Sequence, residues 1–349
     1  MERFSLAPDA TISRVIRGGW QLAGGHGIID AARALEDLIA TADAGITTFD
    51  CADIYTGVEE IMGAFRHAYA DRRGTEAARA IRIHTKCVPD LIRLHDLTRA
   101  DVEAMIDAAL TRLKTERIDL VQFHWWDYAA PRWLEAAIWL ADLQRAGKIH
   151  LLGGTNFDTE HMLAMIEAGV PIATMQLQYS LLDRRPHAQM VPAARDHGVH
   201  LLCYGTVAGG FLSDRWLGVP EPQGPLENRS LTKYKLIIDD TGGWDAFQAL
   251  LADVREVADA TGTDIATVAS RAVLEWDRVA GVIVGARNAD HLAHNLKVGS
   301  LELTARQRAA LDSAAEETTH LHGDVYTLER DREGRHGAIM KYNLNAAPA

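Results

Sequence analysis

The chain has 349 residues, 48% hydrophobic and 24% charged, which excludes a mainly disordered protein and allows a core of normal size. Its 36 Lys and Arg against 48 Asp and Glu leave a formal net charge of −12, so nucleic acid is not expected as a partner. Three cysteines, Cys51, Cys87 and Cys203, are too few and odd in number for a disulfide framework. With no signal-peptide layout and no uncharged apolar run near the ~20 residues that span a bilayer, a cytoplasmic protein without a membrane partner is expected.

Short apolar runs then alternate with helical periodicity. A strand over 15–17 precedes the turn Gly18-Gly19. Ala34, Leu35, Leu38, Ile39 and Ala42 mark a helix over 31–44, stopped by Gly45. Further strands are predicted over 46–49, 81–85, 118–123, 149–152, 172–177, 199–204 and 281–284. Helices fall over 58–70, 98–114, 131–146, 158–168, 187–197, 245–260, 264–276, 289–297 and 304–318. This alternation implies parallel strands with crossover helices. Eight such units favour an α/β fold of the (β/α)8 TIM-barrel type, as a single domain over 1–349. A doubly wound sheet is the alternative, but the first βα turn lacks a Gly-x-Gly-x-x-Gly leading into a helix; Gly24-Gly25-His26-Gly27 has the wrong spacing. Two segments break the pattern. Residues 213–243, after the seventh strand, carry Pro220, Pro222, Pro225 and several glycines and read as a long loop, either covering a ligand at the catalytic face or making an ordinary surface excursion. The polar tail 320–349 reads either as a frayed terminus or as an arm across the barrel mouth.

In a barrel, residues at the C-terminal ends of the strands converge. Those ends are Asp50, Lys86 and His124, and Tyr55 follows Asp50 by five positions. A phenol can give a proton to a carbonyl oxygen when a nearby ammonium stabilises the phenolate left behind. Lys86 can supply that charge, Asp50 can hold Lys86, and His124 can orient the carbonyl. Each has a plainer reading: a structural ion pair, a packed loop Tyr, a satisfied polar His. Trp20, Trp125 and Trp126 sit where aromatic walls would exclude water from a substrate pocket, or else pack under loops. Cys51 and Cys87, beside Asp50 and Lys86, read as inert buried thiols. Fifteen histidines invite a metal site, but no His-Glu-x-x-His or paired Cys-x-x-Cys occurs, and none is expected.

Phe49-Asp50-Cys51-Ala52-Asp53-Ile54-Tyr55-Thr56-Gly57-Val58-Glu59, with Gly63 beyond it, resembles the signature of the aldo-keto reductase superfamily. Thr85-Lys86 and Val121-Gln122-Phe123-His124 fall where that family places its lysine and histidine. The resemblance covers about residues 14–319. It implies a barrel using NADPH (NADH being possible) without metal, Tyr55 as general acid/base, Lys86 and Asp50 tuning it, and His124 orienting the carbonyl. It also implies Thr155, Asn156 and Gln176 on the nicotinamide carboxamide and Tyr204 stacked on the ring. Gly205, Thr206, Gly209 and Leu212 would lie along the pyrophosphate, and Gly285, Arg287, His291 and Asn295 at the adenosine end. Tyr204-Gly205-Thr206 departs from the commoner Tyr-Ser-Pro, and His291 and His294 replace the usual Gln or Arg and Glu. The resulting expectation is an NADP-dependent oxidoreductase acting on CH–OH groups, reducing aldehydes or ketones reversibly, with a small carbonyl or alcohol as its partner and no oligomeric state implied. A slow NADPH-binding sensor barrel, similar to potassium-channel β-subunits, is the alternative, and a metal-dependent barrel hydrolase a more distant one.

Overall fold

The alternation seen in the sequence closes into a ring. The computed structural model describes residues 1–23, 30–286, 288 and 291–345; Arg287 and the Gly24–Gly27 turn lie outside the described residues. A hairpin, β1 (Arg3–Ala7) and β2 (Ala10–Ser13), comes first. Eight parallel strands come after it: β3 (Val15–Gly18), β4 (Thr48–Asp50), β5 (Arg82–Cys87), β6 (Ile118–Phe123), β7 (Ile149–Thr155), β8 (Ile172–Gln178), β9 (His200–Tyr204) and β10 (Val279–Gly285). They pair in chain order, and β10 returns to pair with β3, so the barrel is closed. The principal helices between and after them are α1 (Ala31–Asp43), α2 (Val58–Arg73), α3 (Thr75–Ala78), α4 (Arg99–Arg112), α5 (Trp133–Arg145), α6 (Thr159–Glu167), α7 (Met190–Asp196), α8 (Arg229–Asp240), α9 (Gly243–Thr261), α10 (Ile265–Leu274), α11 (Leu292–Val298), α12 (Ala305–Glu316) and α13 (Thr327–Arg330). No helix among the described residues is long and apolar enough to cross a membrane.

Strand periodicity aims the site. Successive side chains of a strand point to opposite faces. On β4, Phe49 faces outward onto Phe65 of α2, with ring centroids 4.7 Å apart, so Asp50 faces inward. On β5, Thr85 faces outward and its hydroxyl donates to Glu59 of α2 at 2.5 Å, so Lys86 faces inward. Glu59 also pairs with Arg112 at 2.5 Å. A Cβ on Gly63 would lie 2.6 Å from the Arg112 carbonyl oxygen. The outer part of the signature thus locks α2 against α4 and β5.

Two features depart from the expected elements, and the tail takes the second of its two expected forms, an arm across the barrel mouth. The hairpin has no counterpart among the predicted strands; its Phe4, Leu6 and Ile12 pack with Ile16, Leu120, Leu202 and Ala280. Residues 213–243 are not a plain loop, because they contain α8. The prolines ahead of it hide the spacing of Leu231, Tyr234, Ile237 and Ile238, which are buried against the packing of α9, α10 and α12. The tail contains α13 and crosses the C-terminal end of the barrel. The Asn345 amide donates to the Val88 carbonyl at 2.9 Å, and the Leu91 amide donates to the Tyr342 carbonyl at 3.0 Å.

Candidate active site

The strand ends bring the four expected residues to one cavity of about 1140 Å³, lined by Asp50, Tyr55, Lys86 and His124. Asp50 and Lys86 are 4% and 7% exposed. The Lys86 ammonium donates to Asp50 Oδ2 at 2.6 Å and to the Cys51 carbonyl at 2.9 Å. Burial opposes its charge, but the Asp50 carboxylate outweighs this and holds Lys86 above its ordinary range. The same Nζ lies 5.2 Å from the centroid of the Tyr55 ring. Burial raises the Tyr55 phenol and Lys86 partly offsets it, so the hydroxyl stays protonated at neutral pH. The Tyr55 loop is tied down by Asp53, which accepts from Ile54 N at 2.8 Å and from Val88 N at 2.9 Å.

Among the described residues the His124 imidazole is placed by a single hydrogen bond. Its Nδ1 lies 2.9 Å from the Thr155 carbonyl oxygen, which can only accept, so Nδ1 carries the proton. Burial and the charge of Arg330 push the imidazole down to about 3, keeping it neutral. Nε2 is then an acceptor and has no hydrogen-bond partner among the described residues. In this form His124 can receive a hydrogen bond from a hydroxyl and has no proton to give a carbonyl, which alters the orienting role expected from the sequence.

A primary amide would find complementary groups beside this centre. Gln176 commits both amide protons, to Asp50 Oδ1 at 2.7 Å and to Gln122 Oε1 at 2.9 Å, leaving Oε1 as its acceptor for the cavity. Asn156, at φ 61°, accepts the Tyr204 hydroxyl on Oδ1 at 2.8 Å, leaving its amide N–H groups. One acceptor and one donor match the carboxamide of a nicotinamide, and the Tyr204 ring lines the same space. Arg215, Arg229 and Lys233 line it as well and give an otherwise acidic protein a local positive wall.

Other expected cofactor residues divide. Thr155, Gly205, Thr206, Gly209, Gly285 and His291 line the cavity. The Thr206 hydroxyl is hydrogen-bonded to the Ser270 hydroxyl at 2.9 Å. Gly205, at φ +75°, has a second reason to be glycine: a Cβ there would lie 2.1 Å from the Tyr234 hydroxyl of α8. Leu212 is fully buried in the packing of α8 and α9 and does not line the cavity, because its apolar side chain finds its partners there. Asn295, on α11, is also not among the lining residues. His294 faces Asp264, 2.7 Å from its carboxylate.

Of the tryptophans, Trp20 lines the cavity edge-on to Tyr55, with centroids 5.0 Å apart, and Trp126 lines it beside His124 at 4.3 Å. Trp125 does not. It is fully buried, and its indole N–H donates to the Asp127 carbonyl at 2.9 Å, so it packs beneath the loop.

Sequence reasoning missed the parts supplied by the insertion and the tail. Lys233 of α8 stands 5.3 Å from the Tyr204 ring centroid. Glu329 of α13 is 1% exposed and pairs with Arg185 at 3.1 Å and with Lys233 at 3.6 Å. Burial alone would raise Glu329, but these two cations hold its carboxyl down at about 2. Arg330 donates to the Asn156 carbonyl at 2.8 Å and to those of Trp126 and Trp125. The one available signal was the pair of aromatics Tyr326 and Tyr342 in a polar tail.

A closed (β/α)8 barrel with its polar centre at the C-terminal strand ends defines the architectural class. Within that class the chain belongs to the aldo/keto reductase family, whose model matches residues 14–316. It is 28% identical to flagellar radial spoke protein 5 of Chlamydomonas reinhardtii over 71% of this chain, and 32% identical to aldo-keto reductase YhdN of Bacillus subtilis over 62%. The chain spans 56% and 65% of the length of those two relatives. Identity to the NADH-specific methylglyoxal reductase of Escherichia coli is 22%, over 88% of this chain and 96% of that protein. Among solved structures, the glycerol dehydrogenase AKR11B4 from Gluconobacter oxydans matches with a TM-score of 0.74 and 25% identity, over 90% of this chain and 95% of that one.

Proposed function

We propose that the chain is a nicotinamide-dependent reductase that converts small aldehydes or ketones to alcohols and, in reverse, oxidises CH–OH groups. The observation that carries this reading is the Lys86 ammonium, held by Asp50 at 2.6 Å and facing the Tyr55 ring at 5.2 Å inside the cavity. When bound, the nicotinamide supplies or removes hydride. Tyr55 gives its proton to the carbonyl oxygen, and Lys86 lowers the cost of the phenolate. His124 Nε2 receives the hydrogen bond of the alcohol hydroxyl. Asn156 and Gln176 would hold the carboxamide, and Tyr204 would support the ring.

Trp20, Ile54, Val88, Trp126, Tyr326 and Leu344 line the cavity and favour a substrate with an apolar or aromatic body. The described part of the tail, 320–345, closes that end, and the tail 320–349 sets substrate preference rather than the chemical step. NADPH is the proposed cofactor. The resemblance puts Arg287 and His291 at its 2′-phosphate, and a guanidinium suits that group. NADH is the competing choice, since one relative is named as NADH-specific. A reducing, cytoplasmic setting fits three buried free thiols. The slow-sensor alternative is disfavoured by relatives named as reductases. A panel of aldehydes and ketones, followed by nicotinamide absorbance with each cofactor, tests the proposal. Turnover is expected for several aldehydes, and none with either cofactor would overturn it.

A further inference from the structure

The barrel interior carries a polar layer that the hydride and proton steps leave half explained. In a (β/α)8 barrel an interior layer takes its side chains from alternate strands, and these are usually branched and apolar. Here Asp50 on β4, Gln122 on β6 and Gln176 on β8 come from alternate strands and all are polar, at 4%, 0% and 3% exposure. Their groups meet in a closed triangle. Gln122 Nε2 donates to Asp50 Oδ1 at 2.9 Å, Gln176 Nε2 donates to the same oxygen at 2.7 Å, and Gln176 Nε2 also donates to Gln122 Oε1 at 2.9 Å. The other carboxylate oxygen of Asp50 holds Lys86.

From this juxtaposition we infer that Gln122 is a positioning residue for the reaction, joining the Asp50–Lys86 pair behind Tyr55 to the Gln176 amide that faces the cavity. The inference rests on the reductase reading. One side chain has two effects. By donating to Asp50, Gln122 spreads part of the carboxylate charge, so less of it opposes a phenolate on Tyr55. By accepting from Gln176, Gln122 fixes which way that amide points and turns Gln176 Oε1 toward the carboxamide. A buried hydrogen bond left unmade is costly, and more so when one partner is charged, so neither end is easily replaced.

The test replaces Gln122 by Met, which keeps the length and removes both the donor and the acceptor. With a substrate the wild type reduces, kcat of Gln122→Met is expected to fall roughly ten- to hundredfold, the loss for a hydrogen bond to a charged group. Two further readouts separate positioning from a merely structural role. With Asp50 less shielded, Tyr55 holds its proton more tightly, so the basic inflection of the kcat profile moves to higher pH. With Gln176 free to turn, discrimination between NADPH and its analogue bearing an acetyl group in place of the carboxamide shrinks. An unchanged inflection together with unchanged discrimination overturns the inference, whatever happens to kcat. If Gln122→Met fails to fold, Gln122→Glu serves, since it keeps the shape and the acceptor for Gln176. Its carboxyl must share a proton with Asp50, so the kcat profile gains a pH step; a profile without that step overturns the inference. A wild type that reduces no carbonyl overturns the reductase reading and the inference with it, whereas an active wild type with an indifferent variant overturns the inference alone.

Discussion

Tyr326 stands edge-on to His124, their ring centroids 5.7 Å apart and their planes at 87°. A tail residue therefore meets the imidazole at the end of the fourth barrel strand. Tyr326 is 5% exposed and holds a left-handed backbone at φ 61°, a conformation disfavoured for an aromatic residue. Two ties on α13 hold it there: Glu329 pairs with Arg185, and Arg330 donates to the carbonyls around the site. The tail is thus built into the wall of the cavity.

The proton donor is tested by Tyr55→Phe, which keeps the ring and removes the hydroxyl. A general acid contributes roughly 10²–10⁴-fold, so kcat should fall by about that factor while the Kd of the cofactor barely changes. Lys86→Met should lose activity similarly. Near-wild-type kcat in Tyr55→Phe on a good aldehyde would falsify the mechanism.

The tail is tested in two ways. Truncation after Thr319 should change KM across a substrate panel more than it changes NADPH affinity. Glu329→Gln removes the anion between Arg185 and Lys233. Arg185 keeps Asp183 at 2.7 Å, so the loss should be smaller than the ~3–5 kcal/mol of a fully broken buried pair, yet visible as a lower Tm. Equal kinetics for truncated and full-length enzyme on every substrate would exclude a role in preference.

The two adjacent tryptophans should part company. Trp126→Ala should raise KM for bulky substrates with a modest effect on stability. Trp125→Ala empties a fully buried site and should destabilise by about 3–5 kcal/mol. Urea unfolding and steady-state kinetics on both variants decide this, and a reversed pattern would show the cavity wall to be misassigned.

Cofactor choice turns on the adenosine end. Arg287→Ala should weaken NADPH at least tenfold and leave NADH nearly unchanged, as expected for a charge-assisted contact of ~1.5–3 kcal/mol to the 2′-phosphate. Titration of both cofactors measures this directly. Parallel losses would place Arg287 on the part of adenosine that the two share.

Acid should destabilise the fold through its buried imidazoles. Burial pushes His84 down to about 4 and His124 to about 3, from an ordinary 6.5. Because the folded values are depressed, the unfolded chain takes up these protons first. Stability is therefore full above pH ~6.5 and declines as the pH falls toward ~4, by about 1.4 kcal/mol per pH unit for each imidazole. His84→Gln should remove about one proton from that slope. A urea midpoint independent of pH across this window would contradict the assignment.

What the sequence determined by itself was local. Alternating strand and helix periods specify parallel strands with crossover helices, and the count of eight units favours closing them into a barrel over an open sheet. In a barrel every strand ends on the same side, so Asp50, Lys86 and His124 could be brought together on paper, and Tyr55 with them. The signature also carried residues whose task is packing, Glu59 and Gly63, which no spacing distinguishes from those at the cavity. Tertiary structure alone decided the rest. Trp125 and Trp126 are neighbours in sequence, and only the loop that bends between them sends one under the backbone and the other to the cavity. The proton on His124 is placed by the Thr155 carbonyl of the next strand. Gln122 reads as one of two polar residues in the strand, beside Asp119, until the ring closes and sets it against Asp50 and Gln176. Lys233 and Tyr326 reach the site through long-range ion pairs and backbone contacts. Such contacts join segments far apart in the chain, so they leave no periodic trace in it.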